Sequence, residues 1–318
     1  MKRLLAVAAS AAFAVLAAGP ASADDYPTKP IRLVVPLAAG GGSDVFARLL
    51  SPGLEQELGV PVVIVNAPGA GTAIGSRQVL TAKPDGYTVL LNHVALHSLH
   101  ALGKTDFNFK DFDVIAGTTA VPNMIVARAD VPYDSLDNLF AAAREAPETI
   151  KAGVNIGAPN HLSVALAAAR GGGAPFRYVQ TGGATQTLTA LLGKQVDIGI
   201  LTTGDAASFR DTGELKFLAI LDDERSADYP DVPTAAEQDV DVKMVLDYYW
   251  YMPKGTPQDR LVRFADALEA LMAKPELQTQ LKERFIPPTF TRGAEATDAL
   301  ASGLASVEAA AEAAGLRK

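Results

Sequence analysis

Cysteine is absent from the 318-residue chain. Disulfide scaffolds, thiol nucleophiles and cysteine-ligated zinc or iron–sulfur centres are excluded with it. Charge is sparse as well: charged residues make up 20%, and 28 Lys and Arg stand against 36 Asp and Glu, for a formal net charge of −8. The cations are scattered, with no basic run of the kind that grips a phosphate backbone, so nucleic acid is excluded as a partner. Long apolar stretches are missing too. The one that comes nearest, residues 4–18, falls short of the ~20 residues that cross a bilayer. Neither a G-x-S-x-G nucleophile elbow nor an H-E-x-x-H zinc helix occurs. What the chain does have is 48% hydrophobic residues. That is enough for buried cores and incompatible with intrinsic disorder. At ~100–200 residues per domain, the length allows two domains.

The first residues read as an export signal. Lys2 and Arg3 precede the apolar run, and Ala21-Ser22-Ala23 is a small-residue cleavage pattern. A membrane anchor is the competing reading. It is disfavoured because the run is short, Gly19-Pro20 ends it, and no cysteine is there to carry a lipid. Cleavage after Ala23 removes two positive charges and leaves a soluble, exported, periplasmic chain. Without disulfides, its stability must come from core burial.

The rest of the chain alternates short β-rich runs with helical ones, the pattern of parallel α/β sheets. Strands are expected at Ile31–Val35 and at residues 62–65, 87–91, 150–154, 177–179, 196–201 and 216–221. Two separate strands at 114–117 and 123–127 should lead out of the first unit, and an apolar, aromatic strand at 244–252 should lead back. A helix carrying Val45, Phe46, Leu49 and Leu50 should be capped by Ser43 and kinked or broken at Pro52-Gly53. Ser135 should cap another. Thr256 should cap a third, with Pro257 in its first turn, and helices should fill the remainder, ending on a stripe of Leu300, Leu304 and Val307.

Glycine-rich or polar loops recur after these strands. In open α/β sheets ligands bind outside the carboxyl ends of strands, where helix N-termini present free N–H groups. Loop 36–44 offers Leu37, Ala39, Gly40, Gly41, Gly42, Ser43 and Asp44. Loop 66–71 offers Ala67, Gly69, Ala70 and Gly71, and Asn92 closes the strand at 87–91. Later come Gly157, Ala158, Asn160 and His161; then Thr181, Gly182 and Gly183; then Thr202, Thr203 and Asp205. The plainer alternative is that the glycines only make tight turns and the acids only cap helices.

Other chemistries are weighed against the same residues. Gly69, Gly71 and Gly75 space as G-x-G-x-x-x-G, one residue off the dinucleotide fingerprint, and no ribose-binding acid follows at the next strand end. His93, His97 and His100 would share one face of a helix, and three imidazoles could hold zinc. No residue nearby in sequence completes that set, so a helix surface is the preferred reading and no metal is expected. The run Tyr248-Tyr249-Trp250-Tyr251 could line a cleft, although alternate packing on both faces of a buried strand is the commoner use.

Several segments carry a family resemblance. Residues 26–36, YPTKPIRLVVP, with Ala39-Gly40-Gly41 and Asp44, open the series. Asn66-Ala67-Pro68-Gly69-Ala70-Gly71 with Ile74-Gly75, Lys83-Pro84-Asp85-Gly86-Tyr87-Thr88, Pro230-Asp231-Val232-Pro233-Thr234 with Glu237, and Pro253-Lys254-Gly255-Thr256-Pro257 follow in order. Together they resemble the Bug-type receptors, the extracytoplasmic solute receptors of tripartite tricarboxylate transporters. The resemblance implies a two-domain α/β periplasmic binding fold, type II-like, closing like a Venus flytrap about two hinge crossings near 118–124 and 243–249. Residues 24–120 and 247–318 would form one domain and 121–246 the other. It implies that backbone N–H groups at 37–43 and 67–71 hold a carboxylate, while 157–161, 181–183 and 202–205 read the rest of the ligand. No catalysis and no cofactor are expected of such a monomeric receptor, which hands its di-, tri- or aromatic carboxylate to integral-membrane permease subunits. Two alternatives stand beside it: a receptor coupled to a membrane sensor, and a metal-dependent enzyme using His93, His97 and His100.

Overall fold

The computed structural model describes residues 26–316. The export signal expected over residues 1–23 lies outside the described residues. In chain order the elements are β1 (Ile31–Val35), α1 (Gly42–Leu58), β2 (Val62–Asn66), α2 (Ala73–Leu80), β3 (Thr88–Asn92) and α3 (Ala95–Ala101). Next come β4 (Phe112–Arg128), α4 (Leu136–Glu145), β5 (Lys151–Val154), α5 (Pro159–Arg170), β6 (Arg177–Gln180), α6 (Ala184–Leu192), β7 (Ile198–Thr202) and β8 (Leu215–Ile220). The chain ends with β9 (Val245–Pro253), α7 (Gln258–Met272), α8 (Pro275–Lys282), β10 (Pro288–Arg292) and α9 (Gly293–Ala313).

The strands pair in the order β2-β1-β3-β9-β4-β7-β5-β6, with β10 and β8 also on β4. Parallel pairing of β1 with β2 and β3 makes one group, and parallel pairing of β5 with β6 and β7 makes the other. Apart from Arg32, β1 is apolar and buried, as a parallel strand covered on both faces requires. Antiparallel β4 and β9 join the groups. From Phe112 to Pro122, β4 pairs with β9; from Asn123 onward it pairs with β7 and β8. Each group has its own apolar clusters. One is built around Phe46, Leu50, Trp250 and Phe264, the other around Phe140, Leu162, Ile198 and Leu218. Helix α9 touches both. Leu300 and Leu304 pack beside α3, whereas Val307, Ala310 and Ala311 join the second group's cluster against α5.

Ser135 caps α4 as expected, accepting from the Asn138 N–H at 3.3 Å. Four local expectations are corrected. Pro52 and Gly53 do not break α1, which runs through them to Leu58. Gly53 instead makes room for α7, since a Cβ there would stand 2.2 Å from Leu271 Cδ1. The strands at 114–117 and 123–127 are one 17-residue strand. Register shifts on either side of Gly117 absorb what reads in sequence as a break. Thr256 does not cap α7; its hydroxyl turns back to the Pro253 carbonyl at 2.7 Å, and Pro257 takes the cap position. Finally, residues 288–292, expected within a helical tail, form β10 on β4.

Candidate functional site

Between the two strand groups lies a cleft of about 650 Å³. Helix N-termini from both groups border it, and they differ in what they leave free. Helix α1 starts from Gly41 in extended conformation, φ −77° and ψ 167°, with no side-chain cap. Among the described residues, the N–H groups of Gly42, Ser43 and Asp44 have no acceptor. The expected cap at Ser43 does not form, because Ser43 already lies inside the helix. Its buried hydroxyl pairs with Tyr248 Oη at 3.1 Å. Asp44 is buried and does not line the cleft. Its carboxylate binds Arg48 Nε at 2.9 Å, the Gly40 N–H at 2.8 Å and Asn66 Nδ2 at 3.0 Å. Arg48 first, then the Gly40 N–H, holds that carboxyl down to about 2. The acid therefore stitches the loop 36–44 to β2 and leaves the helix end to something else.

The loop after β2 adds Gly71, at φ +67°, and Thr72, at φ +101°. A β-branched residue in that region is strained. Thr72 is held there by its own N–H to the Gly69 carbonyl and by Asn92 Nδ2 on its hydroxyl at 3.3 Å. Asn92 is buried and also bonds Ser76 Oγ, so it braces the wall from behind. After β3, His93 lines the cleft. Its Nδ1 accepts the Ala95 N–H at 3.2 Å, which places the ring proton on Nε2, and the ring stands edge-on to Tyr248 at 5.7 Å. Burial lowers its pKa to about 4, so this is a neutral N–H donor at ordinary pH.

On the other wall most loop donors are already spent. Helix α5 opens with Pro159, which has no N–H. Asn160 Oδ1 takes the N–H groups of Asn155 and His161, Gln180 Oε1 takes that of Ile156, and His161 Nδ1 takes that of Gly157. At the end of β7, Asp205 Oδ2 accepts from the Thr202 N–H and hydroxyl at 3.1 and 2.7 Å. Helix α6 is the most open here: Gly183 is its N-cap, and the N–H groups of Ala184, Thr185 and Gln186 have no acceptor among the described residues, whereas α5 leaves only that of Asn160.

Of the residues expected in the site, Leu37, Gly41, Gly42, Ser43 and Gly71 line the cleft from the first group. Gly157, Ala158, Asn160, Gly182, Gly183, Thr202 and Asp205 line it from the second. Ten others do not. Ala39 and Gly40 are exposed on the loop, and Ala67, Gly69 and Ala70 shape the turn beneath Gly71. Asp44 and Asn92 brace the first wall. His161 packs edge-on against Tyr178, Thr181 Oγ1 pairs with Thr187 at 2.8 Å, and Thr203 donates its N–H to the Pro122 carbonyl. Their polar groups support the cleft without facing it.

The three histidines of the 93–100 segment do not meet. His93 precedes α3 and enters the cleft. His97 is 1% exposed, packed against Phe109, so the expected helix surface is corrected as well. His100 faces Asn108. No group of three His, Asp or Glu among the described residues could hold a metal ion. Lys104, Asn123 and Leu246 line the cleft without being expected there, and Tyr248, weighed as a cleft residue but expected in a buried strand, lines it as well. Tyr248 had a signal: it shares a strand face with Trp250, opposite Tyr249 and Tyr251, as alternation requires. Lys104 and Asn123 had none, since neither sits in a glycine-rich loop.

The profile of the tripartite tricarboxylate transporter family receptors matches residues 46–303. Protein BugT of Bordetella pertussis is 32% identical over 304 residues, covering 92% of this chain and 93% of its own length. A TctC solute binding protein from Polaromonas, solved without ligand, aligns with a TM-score of 0.76 at 29% identity, over 92% of this chain and 98% of that one. An R. palustris protein solved with adipate aligns with a TM-score of 0.77 at 26% identity, over 91% and 98% of the two chains. No helix of the described residues is long and apolar enough to cross a membrane.

Proposed function

This chain belongs to the family of tripartite tricarboxylate transporter receptors, which are periplasmic solute-binding proteins rather than enzymes, and on that premise we propose that it captures a small carboxylate in the cleft and hands it to integral-membrane permease subunits. The observation that carries this reading is the open first turn of α1. Three N–H groups at the positive end of a 17-residue helix, beside a neutral histidine donor, suit one carboxylate. They hold an anion on an acidic protein because local dipoles outweigh screened net charge at contact distance. The binding of adipate by a relative of similar fold agrees with a ligand of this class.

In this reading the chain is exported by its 1–23 segment and works as a monomer. Residues 24–120 and 247–318 form one domain and 121–246 the other. The β4–β9 ribbon is the crossing about which they close, and no bond is made or broken. A thermal-shift screen of mono-, di- and tricarboxylates, followed by calorimetry, tests it. At a hundredfold excess over Kd, a ligand adds about 2.7 kcal/mol, a rise in Tm of roughly 5–10 °C. If no acid in the screen moves the transition or gives heat, the carboxylate reading is lost.

A further inference from the structure

We propose that Lys104 is the counter-ion for a second negative group on the ligand, and so the residue that makes the receptor prefer a dianion. The proposal rests on the carboxylate reading above and adds to it a named determinant. Among the described residues, Lys104 is the only Lys or Arg that lines the cleft. It follows α3 in a tight C-terminal turn: its N–H bonds the Leu99 carbonyl at 2.8 Å, and Gly103, at φ +64°, donates to the His100 carbonyl at 2.9 Å. The side chain therefore leaves from a fixed point. Its ammonium reaches the loop after β5, where Nζ would stand 3.2 Å from a Cβ placed on Gly157.

Nothing in the structure neutralises that ammonium. Among the described residues it has no hydrogen-bond acceptor and no acid within ion-pair distance. Asp205 is the only acid among the described residues that lines the cleft, and its Oδ2 is committed to Thr202. The loop it reaches is the one whose backbone donors, from Asn155 to Ala158, are used up and whose helix opens with Pro159. A negative group arriving there finds little from the main chain. Lys104, held by the opposite wall, supplies the positive charge this helix end lacks. A monocarboxylate seated on α1 would leave the ammonium facing a closing cleft unpaired, which costs desolvation without return. A ligand with negative groups at both ends removes that cost.

The test compares straight-chain dicarboxylates, from succinate to suberate, with their monomethyl esters by calorimetry on the mature protein. Wild-type protein should bind the best diacid about 10- to 100-fold more tightly than its monoester. Lys104→Met keeps the stem and removes the charge; it should weaken the diacid to within about threefold of the monoester and bind the monoester at least as tightly as wild type does, and Lys104→Arg should restore the preference. If Lys104→Met binds the diacid as wild type does, or weakens diacid and monoester alike, Lys104 is not the counter-ion. If wild-type protein binds no acid of either series, the carboxylate reading itself falls and this inference with it.

Discussion

The β1–α1 loop and the β5–α5 loop look alike on paper: each follows a short apolar strand, carries glycine, and leads into an amphipathic helix. In space they are opposites. The first spends its acid, Asp44, on tying the loop to Arg48, Gly40 and Asn66, and leaves three N–H groups of the helix end unclaimed. The second spends Asn160, His161 and Gln180 on its own backbone and begins its helix with a residue that cannot donate. The difference teaches that a strand-to-helix loop becomes a receptor when its polar side chains brace it from behind. It becomes a wall when they turn inward to the same N–H groups a ligand would need.

The strongest way to break this contrast is Gly41→Val. Gly41 has ordinary extended geometry and lines the cleft, so a side chain there should fold but obstruct the α1 donors. Affinity for the tightest acid should fall by about a hundredfold, the loss of one or two charged hydrogen bonds, with an unchanged circular dichroism spectrum. Unaltered affinity would place the carboxylate elsewhere. Asn160→Ala probes the other loop. It removes the acceptor of two N–H groups and a donor to the Gly182 carbonyl. Chemical denaturation should show a loss of about 1–2 kcal/mol, while affinity changes by less than about threefold. A large loss of binding with stability intact would show that Asn160 reads the ligand after all.

The smallest effect sharpens the electrostatics. His93 is held at about 4 by burial, below the ordinary ~6.5. A depressed histidine favours its neutral form in the fold. Its contribution is complete above ~6.5 and is lost as pH falls through that value toward 4. Wild-type protein should therefore lose about 1 kcal/mol relative to His93→Gln between about pH 7 and pH 5.5. Buried Asp247, raised to about 7, runs the other way, but it is common to both proteins and cancels in the comparison. A constant stability gap over that range would mean that His93 is well solvated.

Much of this was legible in the chain. The strands at Ile31–Val35 and near 62–65, 87–91 and 150–154, and the loops after them, follow from apolar runs closed by Gly, Pro and Asn. The carboxyl-end rule then marks those loops as the site. What could not be read is direction. Ser43, Asp44 and Thr203 sit within or beside the cleft loops, but only the fold shows that their polar atoms are spent on Tyr248, Arg48 and the Pro122 carbonyl. Pro52-Gly53 reads as a breaker, and the strand through Gly117 reads as two, because a glycine that suggests an interruption in sequence can be a point of close approach in space. Leu271 and Tyr249 fill the gaps those glycines leave. Lys104 escaped notice because it lies far from any loop pattern and reaches the site across the cleft.

The terminal helix has a mechanical consequence. Its last turns pack on α5, where Val307, Ala310 and Ala311 join a buried cluster with Leu162, Val164, Leu166, Ala167 and Ala168. On the α9 side these side chains are short, so that face of the seam carries few ridges. The closure proposed above must pass along this seam, and small-residue contacts permit sliding of packed helices at low cost. Resistance is then left to the hydrogen-bonded β4–β9 ribbon, which has to twist as a unit. In the proposed closure the alanine-rich face of α9 would act as a bearing and the ribbon as a torsion spring.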